Sequence, residues 1–333
     1  MIERIAAVAV VVPFVLGTLA APASGRDVVF RFQDPEIVES SGLVVRNDLF
    51  VTTNDSGDTG RVFTVDPATG ETVSVTTWPG APDDVEALAP AGRDDVWVGD
   101  IGDNSRDRST VSVTRLPVAT IDQDAAGETY QLRYPDGSAD AETLLAEPGS
   151  GRLLVATKGI LGGTLYAAPE RLRSDRPNRL KELGGILPVA TDGAFFPDGR
   201  HLVLRDYGRA VVYTYPALEE VAELDLPEQE QGEAIAVDDD ARVFVTSEGV
   251  NAPVLEVKLP RALRDVVVAP EPTPSPTASP SPSASSSEIE IRSEGEPPGR
   301  RDAGQWLLGT ALFVVAVVVL ILAVRPRPAR PRR

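Results

Sequence analysis

The chain has 333 residues, a net charge of −18 and no cysteine, which excludes disulfide frameworks and thiolate chemistry. Its single histidine, His201, excludes zinc sites built on several imidazoles. Residues 24–304 hold 26 basic against 49 acidic side chains, net −23, a surface that repels nucleic acid and anionic lipid.

In chain order, residues 1–23 read as a secretory signal peptide: a short polar start, an apolar run from Ile5 to Leu19, and Ala21-Pro22-Ala23 at the cleavage spacing. A strand-like run, Val28 to Phe32, comes next. Then a short pattern appears and recurs in degenerate form five times: Ser40-Ser41-Gly42-Leu43-Val44, Val85-Glu86-Ala87-Leu88-Ala89, Ala141-Glu142-Thr143-Leu144-Leu145, Asp192-Gly193-Ala194-Phe195-Phe196 and Gly232-Glu233-Ala234-Ile235-Ala236. Each copy opens a unit. Its apolar run meets a turn such as Pro197-Asp198-Gly199, whose residues set tight-turn dihedrals. A β-branched run follows (Leu49–Thr53 in the first unit), then a third run (Arg61–Val65) and, in four units, a more polar fourth (Thr72–Thr77).

Short strands at this density, with no helix-period segment, predict an all-β fold. Four strands per unit at steps of 45, 56, 51 and 40 residues predict a five-bladed β-propeller over residues 26–268. The fifth unit has only three strands of its own, and the run at 28–32 has no other home. Joining the two gives a wrapped step of about 40 residues, which favours five blades closed by an N-terminal strand over the six-bladed alternative. Closure also removes open sheet edges.

Residues 269–304 begin with an almost pure Pro, Ser, Thr and Ala stretch and stay polar to their end. They read as a disordered stalk, extended by proline. Within residues 305–324, Trp306 to Val324 is free of charge and long enough for one transmembrane helix. The tail 325–333 carries five arginines and no acid, so it is expected on the cytoplasmic side. These segments predict a single-pass cell-membrane protein with its propeller outside. Without a cysteine, no lipoprotein anchor can form.

The stretch Asp192-Gly193-Ala194-Phe195-Phe196-Pro197-Asp198-Gly199-Arg200-His201-Leu202-Val203-Leu204 resembles the PD40 or TolB-type propeller repeat. The Glu-Ala-Leu and Glu-Ala-Ile copies are similar to the strand starts of secreted bacterial propellers, including phytase-like and SMP-30-type lactonase families. The resemblance implies the propeller fold. This chain departs from it in carrying Ala or Thr where those families often have Gly, and it shows no family-wide catalytic signature.

In a propeller the first strand of each blade lines the channel and the second runs antiparallel to it. Starts of first strands and ends of second strands therefore meet at one mouth. The starts bring Glu86, Glu142, Asp192 and Glu233; the ends bring Asn54, Asp100, Lys158, Arg205 and Glu248. These nine are the candidate ligand-binding residues. Two accounts of them stand side by side: polar groups hydrogen-bonded across blade seams, or a hard-cation site, Ca²⁺ in the first instance, on Glu86, Glu142 and Glu233. Lys158 and Arg205 would pair with those carboxylates or meet an anionic ligand. Asn54 to Gly60 and Asp103 to Asp107 look like fragments of an EF-hand loop but lack its terminal Glu, so Asx turns are the better account.

His201 starts a second strand, at the opposite mouth, which argues against a Ser-His-Asp hydrolase. The sequence expectation is a binding module for an extracytoplasmic protein, glycan or small ligand. The alternatives are a Ca²⁺-dependent lactonase or phosphoesterase on the same carboxylates, and a structural envelope protein without ligand.

Overall fold

The structure is a computed structural model and describes residues 28–268 apart from residue 56. The expected signal peptide, stalk, membrane helix and tail lie outside the described residues. Among the described residues no helix is long and apolar enough to cross a membrane.

Five antiparallel sheets form five blades. The first holds β2 (Ser40–Arg46), β3 (Leu49–Asn54), β4 (Arg61–Val65) and β5 (Thr72–Thr77). The second holds β6 (Val85–Ala91), β7 (Asp95–Asp100), β8 (Val111–Pro117) and β10 (Glu128–Arg133). The third is β11 (Ala141–Ala146), β12 (Leu153–Thr157), β13 (Gly163–Ala167) and β15 (Lys181–Ile186). The fourth is β16 (Asp192–Phe195), β17 (His201–Arg205), β18 (Arg209–Thr214) and β19 (Glu220–Asp225). The fifth is β20 (Gly232–Val237), β21 (Val243–Ser247), β22 (Pro253–Val257) and, at its outer edge, β1 (Val28–Arg31), where Phe30 sits opposite Val254. Two-residue strands extend the edges of two blades: β9 (Gln123–Asp124) runs parallel to β5, and β14 (Asn178–Arg179) parallel to β10.

Each inner strand packs on the inner strands of both neighbours, β2 on β6 and β20 included, so the ring is closed. The apolar clusters show the same closure. There are five among the described residues, one per seam, whereas an open row of five blades would have four. The seam between the fifth and first blades is aromatic: Phe50 meets Phe30 and Phe244 edge-on at 5.0 and 5.1 Å.

Burial follows radial position. β11 and β12 are buried throughout and are largely apolar apart from Glu142 and the threonines, while outer strands such as β10 and β19 are exposed at most positions. A short helix, α1 (Arg261–Val267), follows the fifth blade. Leu263 and Val267, one turn apart, bury against the seam of the fourth and fifth blades.

Candidate functional site

Four of the five inner strands begin with the same irregularity. Register slips by one residue between Ser40 and Gly42, Val85 and Ala87, Ala141 and Thr143, and Gly232 and Ile235. A bulge of this kind turns its extra residue out of the regular alternation. In the first three blades the extra residues are Ser41, Glu86 and Glu142, and the slip in the fifth spans Glu233. All four are buried at the channel mouth. The inner strand pair of the fourth blade has no bulge: Asp192 pairs directly with Arg205.

Three groups of side chains share this mouth. The first joins the first two blades. Asp55 follows β3, Asp84 precedes β6, and Glu86 is the bulged residue; one carboxylate oxygen from each lies within 4.8 Å of the others. Gly102, just past β7, makes room for them. A methyl group there would lie 2.6 Å from Glu86 Oε1 and would collide with the Asp84 carboxylate.

The second group joins the third and fourth blades. Lys158 donates to Glu142 Oε1, and its Nζ lies 5.5 Å from the centre of the Tyr207 ring. The Glu142 side chain is only 7% exposed, and its Oε2 has no hydrogen-bond partner among the described residues. The third group belongs to the fifth blade. Gln231 Nε2 donates to Glu233 Oε1 at 3.2 Å and to Glu248 Oε1 at 2.6 Å.

Crowding of carboxylates out of water dominates the electrostatics. Burial pushes Glu86 up to about 10, reinforced by Asp55, Glu142 and Asp84 and opposed by Lys158. Burial raises Glu142 to about 8 against the pull of Lys158. Glu248 rises to about 7 through burial and then Glu233. Asp84 and Glu233 are also raised, chiefly by burial. Burial works against the charge of Lys158, yet Glu142 and the Tyr207 hydroxyl outweigh it, so its proton is held above the usual lysine range.

The remaining candidates have structural partners. Asn54 Oδ1 accepts the backbone N–H groups of Val38 and Glu39, and its Nδ2 donates to Glu36 O and Asp58. In the second blade Asp100 does the same for Asp83 and Asp84 and is bridged by Arg108 at 2.8 Å. Both residues clamp the loop that leads into their own blade. Arg205 is 0% exposed and lies in the seam of the fourth and fifth blades. It donates to Asp206 O, Ala234 O and Thr246 O, and burial lowers it to about 10 while Glu233 and Asp192 support its charge. Asp192 accepts the N–H of Ile235 across the same seam at 2.8 Å, and burial raises it well above the usual carboxylate range.

Of the nine candidates, then, Glu86, Glu142, Lys158, Glu233 and Glu248 face one mouth; Asn54 and Asp100 support its loops; Asp192 and Arg205 lie in a seam beneath it. The three carboxylates nominated for Ca²⁺ are spread over three groups, and only Glu86 belongs to the tight trio. Asp55 and Asp84 are not among the nine; Asp55 directly follows the candidate Asn54, and Asp84 is harder to find. Its one signal is its place directly before the repeat pattern, in Asp83-Asp84-Val85-Glu86. The EF-hand-like fragments are turns closed by their own side chains: Asp103 accepts the N–H groups of Asp107 and Arg108.

No protein-family model matches the chain, and no curated protein matches it. Among solved structures it is similar to a putative 6-phosphogluconolactonase from Bacteroides uniformis ATCC 8492, with 16% identity over 67% of this chain and 68% of that one and a TM-score of 0.37.

The far mouth of the channel differs in chemistry. It opens into a cavity of about 670 Å³ walled by side chains such as Leu88, Trp97, Pro148 and Phe195. Two ion pairs stand at this end: Arg115 with Asp95, and Asp238 with Arg242. His201 lies at this end, held by Asp198 at 2.7 Å.

Proposed function

We propose that this chain is a membrane-anchored surface module whose propeller binds a cationic ligand at its acidic mouth. One observation carries the reading. Asp55, Asp84, Glu86, Glu142, Glu233 and Glu248 converge on a mouth where Lys158 is the one lysine, and burial with mutual repulsion raises the carboxyl groups there, so that their ionisation lacks a counter-ion. A cation entering the mouth relieves that repulsion. Glu142 Oε2, buried and without a hydrogen-bond partner among the described residues, is a second acceptor open to a donor. Hard cations such as Ca²⁺ suit the oxygen-only trio of Asp55, Asp84 and Glu86. Alkylammonium groups suit the Glu142 and Tyr207 side, where Lys158 already occupies such a position.

Calorimetric titration of the full chain with CaCl₂ and with methylammonium chloride tests the reading. Heat and a raised Tm that fall away in Asp84→Asn support it; silence toward both cations removes it. The anchoring half rests on the sequence of residues 1–23 and 305–333. Protease treatment of intact cells should cleave the propeller from the membrane fraction; full protection would remove that half.

A hydrolytic reading has one observation in its favour: Glu86 keeps its proton beside two further carboxylates, a pairing suited to acid–base work. Lactone and phosphate-ester panels with Ca²⁺ present would have to show turnover that collapses in Glu86→Gln.

A further inference from the structure

The loops around the acidic mouth are unequal. In the first two blades, the loops after the second strand are polar and carry residues such as Asp55, Asp58, Asp103 and Asp107. In the other three they carry bare apolar side chains. Ile160, 83% exposed, and Leu161, fully exposed, form the tip between β12 and β13. Tyr207, 42% exposed, stands between β17 and β18, and Val250, 61% exposed, between β21 and β22. Val38, also exposed, continues the arc into the first blade, where its carbonyl accepts the N–H of Gly249 at 2.8 Å.

The tip at 160–161 runs against ordinary turn chemistry. Turn tips favour Gly, Pro, Asn, Asp and Ser. Here Gly159 and Gly162 close the turn, with Gly162 at φ +146° and its N–H on Gly159 O, and two large aliphatic residues are thrust into water. Exposed apolar side chains clustered at one rim mark an interaction surface. The arc adjoins the acidic groups directly: Lys158, on the same loop as Ile160, reaches both Glu142 and the Tyr207 ring.

We infer that this rim and mouth together receive a segment of a partner protein in which an arginine or lysine side chain is flanked by large apolar residues. The basic group enters among the carboxylates, and its neighbours lie on Ile160, Leu161, Tyr207 and Val250. The inference rests on the cation-binding reading of the mouth and names its partner. Charge complementarity selects the occupant. An anionic lipid surface is repelled by the same acids, and a second copy of the chain would bring a negative mouth of its own. Lys158 displays the accepted group in miniature: an ammonium held between a carboxylate and an aromatic face.

The test is calorimetry of the full chain with three capped peptides, Gly-Leu-Arg-Leu-Gly, Gly-Ser-Arg-Ser-Gly and Gly-Leu-Glu-Leu-Gly, beside a CaCl₂ titration. The leucine-flanked arginine peptide should bind about tenfold tighter than the serine-flanked one, as burial of one leucine side chain implies, and the glutamate peptide should not bind. In the double variant Ile160→Ser/Leu161→Ser the two arginine peptides should bind alike. Both residues are exposed, so a matching Tm is expected and verifies the fold. Equal binding of the two arginine peptides to the parent chain overturns the inference and leaves the cation-binding reading standing. So does a response to Ca²⁺ with none to either arginine peptide. Silence toward Ca²⁺ and all peptides overturns both. Sedimentation that shows a parent dimer dispersed by the double variant assigns the rim to a second copy and overturns the inference.

Discussion

Glu86→Gln should stabilise this protein, and the gain should grow with pH. Glu86 is 7% exposed and raised from 4.5 to about 10 by burial and by Asp55, Glu142 and Asp84. The folded chain therefore holds a proton that the unfolded chain gives up above 4.5. The contribution of that carboxyl group to stability is fully present below 4.5 and is lost as pH rises toward 10. The slope for one proton is about 1.4 kcal/mol per pH unit, so at pH 7 the deficit is about 3 kcal/mol. Gln keeps the size and cannot ionise, so it removes that deficit. For a domain of this size the gain corresponds to roughly 6–12 °C in Tm. The assay is urea unfolding with a chelator present, from pH 5 to pH 8.5, on parent and variant. The two stability curves should meet near pH 5 and diverge steadily above it. Curves that run parallel, or a variant less stable than the parent at pH 8, would show that Glu86 is ionised and satisfied, and the picture of a mouth that suppresses its ionisation would be refuted.

Lys158→Met should cost stability, about 1–3 kcal/mol at pH 9 and less at pH 6, because Glu142 loses its counter-ion and its raised carboxyl moves further up. Millimolar methylammonium should restore part of the loss, which denaturation at the two pH values with and without the amine will read. Gly102→Ala should weaken Ca²⁺ binding about tenfold or more in calorimetry, since the added methyl displaces Asp84 and Glu86. Arg205→Met should cost about 3–5 kcal/mol by urea midpoint, and Arg205→Lys should fail to rescue it, because one ammonium cannot serve the carbonyls of Asp206, Ala234 and Thr246 together. Full stability in Arg205→Lys would contradict the seam role.

The wheel was legible in the sequence because its inner strands are buried on both faces and so become apolar runs with a fixed lead-in. Counting strands was enough to assign the run at 28–32 to the last sheet, where Phe30 now meets Phe50. The edge strands β9 and β14 left no trace of that kind: two residues cannot show a period, and their pairing is fixed by the loops that carry them. α1 escaped for a related reason, since Leu263 and Val267 make only one i, i+4 repeat behind Pro260.

The mouth was legible in position more than in role, and the bulge explains why. Sequence alignment of the five copies places Asp192 one residue ahead of the acids at 86, 142 and 233, a difference that looks like drift. In the fold that offset decides the chemistry. Where the strand bulges, the acid leaves the regular pairing for the mouth, where water is scarce and like charges gather. In the fourth blade the strand pairs without a slip, and Asp192 stays in the ladder, buried against Ile235 N–H with Arg205 alongside. The fourth blade thus joins the first, whose extra residue is Ser41, in supplying the mouth with no carboxylate from its inner strand, and its loop offers Tyr207 at that point instead. The loop rim is therefore lopsided by construction, polar over the first two blades and apolar over the rest, while the acids beneath it come from four of the five blades. The proposed segment, a basic side chain flanked by large apolar ones, matches both parts.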